Sequence, residues 1–321
     1  MHKSTITAEA FCISIEKALL NPLNMKESIN RIQKTLNGLP DGKLFVSEYN
    51  GHVSFYTVVD GKHKYLSKKS PELLPLARRR YQTMLLRILK LTGATSQHDT
   101  KRRNAQIARL QTFIRRCEKS GLNIAEIVLT RRQRNWYFSD YRQKRIVSSN
   151  HKSKSGIPVR SKSERDIING CDDLAVPFHY EEENVMFVQP LVDKLQQQLS
   201  ANNALIYTFN GRYVHWLVPP ELEWMNTRGS IWMTFYPPRG TIRIFVDFTI
   251  MLADDTFILW EHEGLFDDFQ YRINSLERTG IMKYTGTVKR ENLIETYERD
   301  VDTPEKVIDI IEREILPRLW F

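Results

Sequence analysis

Three acidic side chains frame the chemistry available to this chain. Asp247 lies in the run TIRIFVDFTI (241–250), Glu261 in FILWEHEG (257–264), and Glu164 in VRSKSE, at the start of Val159–Glu181. In the first run Ile242, Ile244, Val246, Phe248 and Ile250 alternate with Arg243, Phe245, Asp247 and Thr249, which is the period of a strand. Asp254-Asp255 marks a turn, and a hairpin centred on Asp254 sets Asp247 directly opposite Glu261. Facing side chains in such a pair have Cβ atoms about 5 Å apart, where like charges repel. A divalent cation between them reverses the sign of that interaction. Oxygen-rich carboxylate sites suit Mg²⁺ or Mn²⁺ rather than zinc.

Glu164 supports two readings. Ser161 and Glu164 have the spacing of a capping box, so helix capping alone would explain it. Residues 164, 168 and 171 also share one helix face, which sets the carboxylate at the edge of the buried side, where it needs a cation.

The elements that must position these residues are legible in outline. Residues 7–38 read as two short helices broken near Asn21-Pro22. KLFVSEY, HVSFYTVV and KHKYL read as a β-meander turned at Asn50-Gly51 and Asp60-Gly61. Ser70-Pro71 opens a long helix with serine as its N-cap, and a second helix covers roughly 99–119. Together they form a basic helical arm. Its candidate nucleic-acid contacts are Arg78, Arg79, Arg80, Lys101, Arg102, Arg103, Arg115, Arg116, Arg131, Arg132 and Arg134. The polar stretch SSNHKSKSG (148–156) reads as a linker, dividing the chain into 1–150 and 151–321. Beyond it come the helix at Ser161, the hairpin, a strand over NLIETY (292–297), and a closing helix capped by Asp302-Thr303-Pro304.

Charge is unevenly spread. The 321 residues carry a formal net charge of +9. Residues 61–160 hold 25 Lys and Arg against 5 Asp and Glu, and the rest of the chain holds 22 against 33. A basic segment joined to an acidic one fits a polyanion-binding half beside a half that holds cations. The three cysteines, Cys12, Cys117 and Cys171, lack ligand spacing, which favours free thiols and a cytoplasmic setting. No apolar run approaches the ~18 residues of a membrane span, and no signal-peptide core is evident.

Glu164, then Asp247 in an apolar strand, then Glu261 on the next strand, resembles the PD-(D/E)XK nuclease superfamily. The motifs VRSKSE, HYE, DFTI, WEH-x-G and DD-x-x-Y are similar, more narrowly, to a bacterial subgroup of it, over most of 159–298. The resemblance implies an α/β, restriction-endonuclease-like αβββαβ core. It implies Asp247 and Glu261 as ligands of Mg²⁺ or Mn²⁺ with Glu164 assisting, and an endonuclease acting on DNA. An RNA-directed nuclease, or a degenerate binding module of a defence, mobile-element or repair system with protein partners, is the alternative. The chain departs from the family pattern in three places. Val246 stands where proline usually precedes the aspartate, and Glu263 stands where the lysine is expected. Arg278, Lys283 and His262 are candidates to replace that lysine, and Tyr271 to orient the site. An insertion at about 182–240 contains Trp216, Trp224 and Trp232 and reads as a β-rich lobe.

Overall fold

Turn chemistry shapes the first sheet. The computed structural model describes residues 6–20, 22–92, 96–144, 151–187, 207–209, 212–215, 233–235, 241–264, 282 and 289–321. In it Asn50, Gly51, Asp60 and Gly61 have φ of 46°, 79°, 50° and 75°. This is the backbone that a two-residue hairpin turn requires. The turns join β1 (Leu44–Tyr49), β2 (His52–Val59) and β3 (Lys62–Leu66) into an antiparallel meander. Helices α1 (Ala8–Ala18) and α2 (Met25–Asn37) precede it.

The long helix α3 (Leu73–Leu91) begins later than Ser70-Pro71 suggests, and its first residue is not capped by a side chain. Ser70 instead closes a turn by accepting the Leu73 N–H on its carbonyl. In α4 (Gln97–Lys119), Ser96 is a true N-cap, its hydroxyl accepting from the Asp99 N–H. Short helices α5 (Ile124–Val128) and α6 (Arg131–Phe138) follow. These helices are not a free arm: Leu76, Tyr81, Leu85, Ile88, Leu110 and Ile114 are buried in the main core.

The stretch expected as a linker is ordered from His151 onward. Its residues 148–150 lie outside the described residues, while β4 (His151–Lys152) pairs with β5 (Pro158–Val159). The division expected near residue 150 is likewise no division of the core. One apolar cluster runs from Ile6 to Phe321, because apolar faces from both halves are buried against each other.

Helix α7 (Lys162–Asp173) packs its Ile167, Ile168 and Cys171 inward and carries the capping box read from sequence. The main sheet has the order β12-β11-β10-β6. Its strands are β6 (His179–Phe187), β10 (Thr241–Met251), β11 (Phe257–Glu263) and β12 (Leu293–Tyr297). The pairs β6–β10 and β10–β11 are antiparallel, and β11–β12 is parallel. Between β6 and β10, a separate three-stranded sheet comprises β7 (Tyr207–Phe209), β8 (Arg212–His215) and β9 (Met233–Phe235), as the β-rich lobe predicts. The tryptophans of that lobe lie outside the described residues. Helix α8 (Pro304–Ile310), N-capped by Thr303, continues through a π turn (Ile311–Ile315) to Leu319 and packs on α7. The class is therefore mixed α/β. No helix among the described residues is long and apolar enough to cross a membrane.

Candidate metal centre

The sheet register brings acidic residues toward one another. Phe248 pairs with Trp260 and Thr249 with Leu259, as a hairpin centred on Asp254 requires; the pairing ends at the Phe248–Trp260 rung, and beyond it the His262 N–H donates to Asp247 Oδ2. On the other side of β10, Val246 pairs with Glu182 and Phe248 with Tyr180, leaving Glu181 level with Asp247. Glu181, Asp247 and Glu261 thus lie on three neighbouring strands of the sheet. Glu164, Glu181, Asp247 and Glu261 are 4%, 1%, 1% and 0% exposed, which no isolated carboxylate tolerates.

Glu164, Glu181 and Asp247 each bring one oxygen to within 4.8 Å of the others. Arg160 draws them together. Its Nη2 donates to Glu164 Oε1 at 3.2 Å and to Asp247 Oδ1 at 2.9 Å, and pairs with Glu181 Oε1. The Arg160 side chain is 39% exposed, so it covers the carboxylates from the solvent side. Burial opposes its charge, yet Asp247, Glu181 and Glu164 outweigh burial and hold the guanidinium above its ordinary pKa. Burial pushes the Glu181 carboxyl up to about 7, with Asp247 adding to the rise and Arg160 opposing it.

The second oxygens of Glu164 and Asp247 are tightly held. Glu164 Oε2 accepts from the Arg160 N–H (2.8 Å), the Ser161 N–H (3.0 Å) and the Tyr180 hydroxyl (2.9 Å). Both readings of Glu164 therefore hold at once, since one oxygen caps the helix and the other faces the cluster. Asp247 Oδ2 accepts from the His262 N–H at 2.8 Å. The His262 ring lies against Thr296 Oγ1 at 3.2 Å, and burial lowers its pKa. Its main-chain N–H, not its ring, serves the site.

Glu261, expected as the second metal ligand, is outside the three-carboxylate group. Its place is taken by Glu181, because Arg160 enters from the α7 side and gathers the carboxylates of α7, β6 and β10. Glu181 was visible as the last residue of HYE but carried no predicted role. Neither did Arg160, four residues before Glu164, which brings positive charge to a site where Glu263 replaces the expected lysine. Arg278, Lys283 and Tyr271 lie outside the described residues.

Several arginines of the expected nucleic-acid surface are occupied in structural bonds. Arg78 donates to the Glu126 carbonyl at 2.6 Å and pairs with its carboxylate. Arg79 donates to the Leu36 and Leu39 carbonyls and pairs with Asp41. Arg134 donates to the Leu129 carbonyl at 2.6 Å, and Arg116 pairs with Glu48. Arg132 pairs with Asp255 and Arg102 with Asp99. Lys101, Arg115 and Arg131 are exposed.

No family model, curated protein or solved structure matches the chain.

Proposed function

We propose that the chain is a metal-dependent endonuclease of the restriction-endonuclease-like, PD-(D/E)XK kind, hydrolysing phosphodiester bonds in DNA. One observation carries this reading: three buried carboxylates share a single guanidinium. The cluster sets three carboxylates against one guanidinium, and burial, with Asp247 adding to it, pushes the Glu181 carboxyl up to about 7. The donors are all carboxylate oxygens, so the set fits Mg²⁺ or Mn²⁺. Asp247 Oδ1, Glu181 Oε1 and Glu164 Oε1, the three oxygens that Arg160 now pairs with, would hold the ion, with Glu261 on the adjoining strand. Such an ion supplies Lewis-acid polarisation of a phosphate and a more acidic bound water.

The chain's own residues do the rest. Tyr180 and two main-chain N–H groups fix Glu164, and the His262 N–H fixes Asp247, so both carboxylates are pre-set. Arg160 balances part of the charge and offers its exposed edge to the substrate phosphate. The order α7, β6, β10, β11, β12 supplies the first helix and the four strands that an αβββαβ core would need, while the stretch where its second helix belongs lies outside the described residues. A catalytically silent binding module is the second reading, favoured by Glu263 at the lysine position.

Cleavage of plasmid, single-stranded DNA and RNA with Mg²⁺, Mn²⁺ or EDTA tests the proposal. Metal-dependent cleavage is expected, falling at least ~100-fold in Asp247→Asn and Glu181→Gln, the upper end of what loss of a supporting group around a metal costs. Cleavage that persists in EDTA, or in Asp247→Asn, would sink the site. Binding without cleavage under every condition would favour the silent module.

A further inference from the structure

A cleft lined by cations and apolar groups lies apart from the acidic cluster. Helices α3 and α4 and strand β1 enclose a cleft of about 1010 Å³. Six cations line it, Lys43, Arg79, Arg80, Arg87, Arg109 and Arg116, and no carboxylate does so among the described residues. Arg80, Met84 and Arg87 fall at helical spacing on α3, as do Arg109, Phe113 and Arg116 on α4, so two basic stripes face a common floor.

The charges there are unevenly satisfied. Arg79 and Arg116 have carboxylate partners in Asp41 and Glu48. Arg80 does not: it donates to the Leu44 carbonyl, and its guanidinium lies 5.0 Å over the Phe113 ring. Burial lowers the Arg80 pKa, with Cys117 opposing the drop and Arg116 adding to it. Within the described residues Lys43, Arg87 and Arg109 are exposed and in no ion pair. Apolar groups are exposed in the same cleft, with Phe45 at 39% and Val58 at 37%.

We infer that this cleft binds a single-stranded polynucleotide, phosphates on the arginine rim and bases against the apolar floor. Cationic rims with aromatic floors bind single strands by combining backbone charge with stacking. A duplex keeps its bases stacked inside a stiff rod with a persistence length of about 50 nm, and so cannot reach a concave floor. The inference rests on the polynucleotide part of the proposed function, and names which form of polynucleotide the protein grips.

The test is fluorescence anisotropy in EDTA, with a labelled single strand and its duplex. The single strand is expected to bind more tightly. Arg87→Ala/Arg109→Ala should weaken it at least tenfold and flatten the log–log salt slope by about 1.4, at ~0.7 per lost phosphate contact. Phe45→Ala should weaken binding with the slope unchanged, as loss of a stacking surface requires. Lys43→Ala/Arg87→Ala, both exposed, repeats the test should the first pair not fold. Preference for the duplex, or wild-type binding by both double variants, would overturn the inference. Because EDTA removes cleavage from the measurement, strand binding without nuclease activity would defeat the active-site reading alone. Cleavage with unaltered binding by the cleft variants would defeat the cleft alone.

Discussion

Arg160 and Glu181 together define the electrostatics of the cluster. The Glu181 carboxyl titrates at about 7 in the folded chain, mainly because it is buried. In an unfolded chain it would titrate near ~4.3. Between those values the folded state holds a proton that the unfolded state has released, so stability falls as pH rises through this window. A divalent cation substitutes for that proton, and proton and metal compete for the same oxygens. Thermal unfolding with and without Mg²⁺ should therefore show a larger metal-induced rise in Tm at pH 8 than at pH 5.5. Glu181→Gln should remove most of the difference. An equal rise at both pH values would mean that Glu181 is not where the ion sits.

Helix α7 delivers Glu164 to the cluster, with Arg160 just before its N-cap, and its position depends on a glycine. A Cβ added at Gly170 would lie 2.6 Å from Val307 Cγ1 and 3.2 Å from Ile311 Cδ1, both on the closing helix. Val307 and Ile311 are fully buried and branched, so neither yields cheaply. Overpacking of this kind costs about 1–3 kcal/mol, against a helix-propensity gain for alanine of up to ~1 kcal/mol. Gly170→Ala is expected to lower Tm by several degrees, and Gly170→Ala/Val307→Ala to recover part of the loss. A single variant as stable as wild type would show that α7 shifts freely. At this scale the sequence is partly legible. The β10–β11 register follows from alternation and one local turn, and the Glu164 cap from a three-residue spacing. The pairing of β6 with β10 joins residues about sixty apart across an inserted sheet, and no local periodicity encodes it. Glu181 adds a left-handed backbone, φ 54°, that a strand pattern does not anticipate. The structural bonds of Arg78, Arg79 and Arg80 are hidden in the sequence for the same reason, since they reach carbonyls 36 to 48 residues away.

Across the whole molecule, the N-terminal helices complete the core that supports the acidic sheet. Gln133 on α6 is buried, and its amide donates at 3.0 Å to the carbonyls of both Met251, at the end of β10, and Leu319, near the C-terminus. The Trp320 indole donates to Ser14 Oγ at 2.7 Å, and its ring meets Phe11 edge-on at 4.9 Å. Charge and composition suggest a cut near residue 150, because they report the surface and not what the apolar faces touch. Removing residues 1–150 would expose Trp320 and Leu319 and strip the Met251 and Leu319 carbonyls of their donor. The fragment 151–321 should consequently show no cooperative thermal transition, whereas the full chain should unfold in one. In the full chain Gln133→Leu, which keeps roughly the volume but leaves both carbonyls buried without a donor at about 1–3 kcal/mol each, should cost about 2–6 kcal/mol in denaturant titration. A fragment that melts cooperatively, together with a neutral Gln133→Leu, would show that the acidic sheet carries its own core and that the basic helices are an attachment.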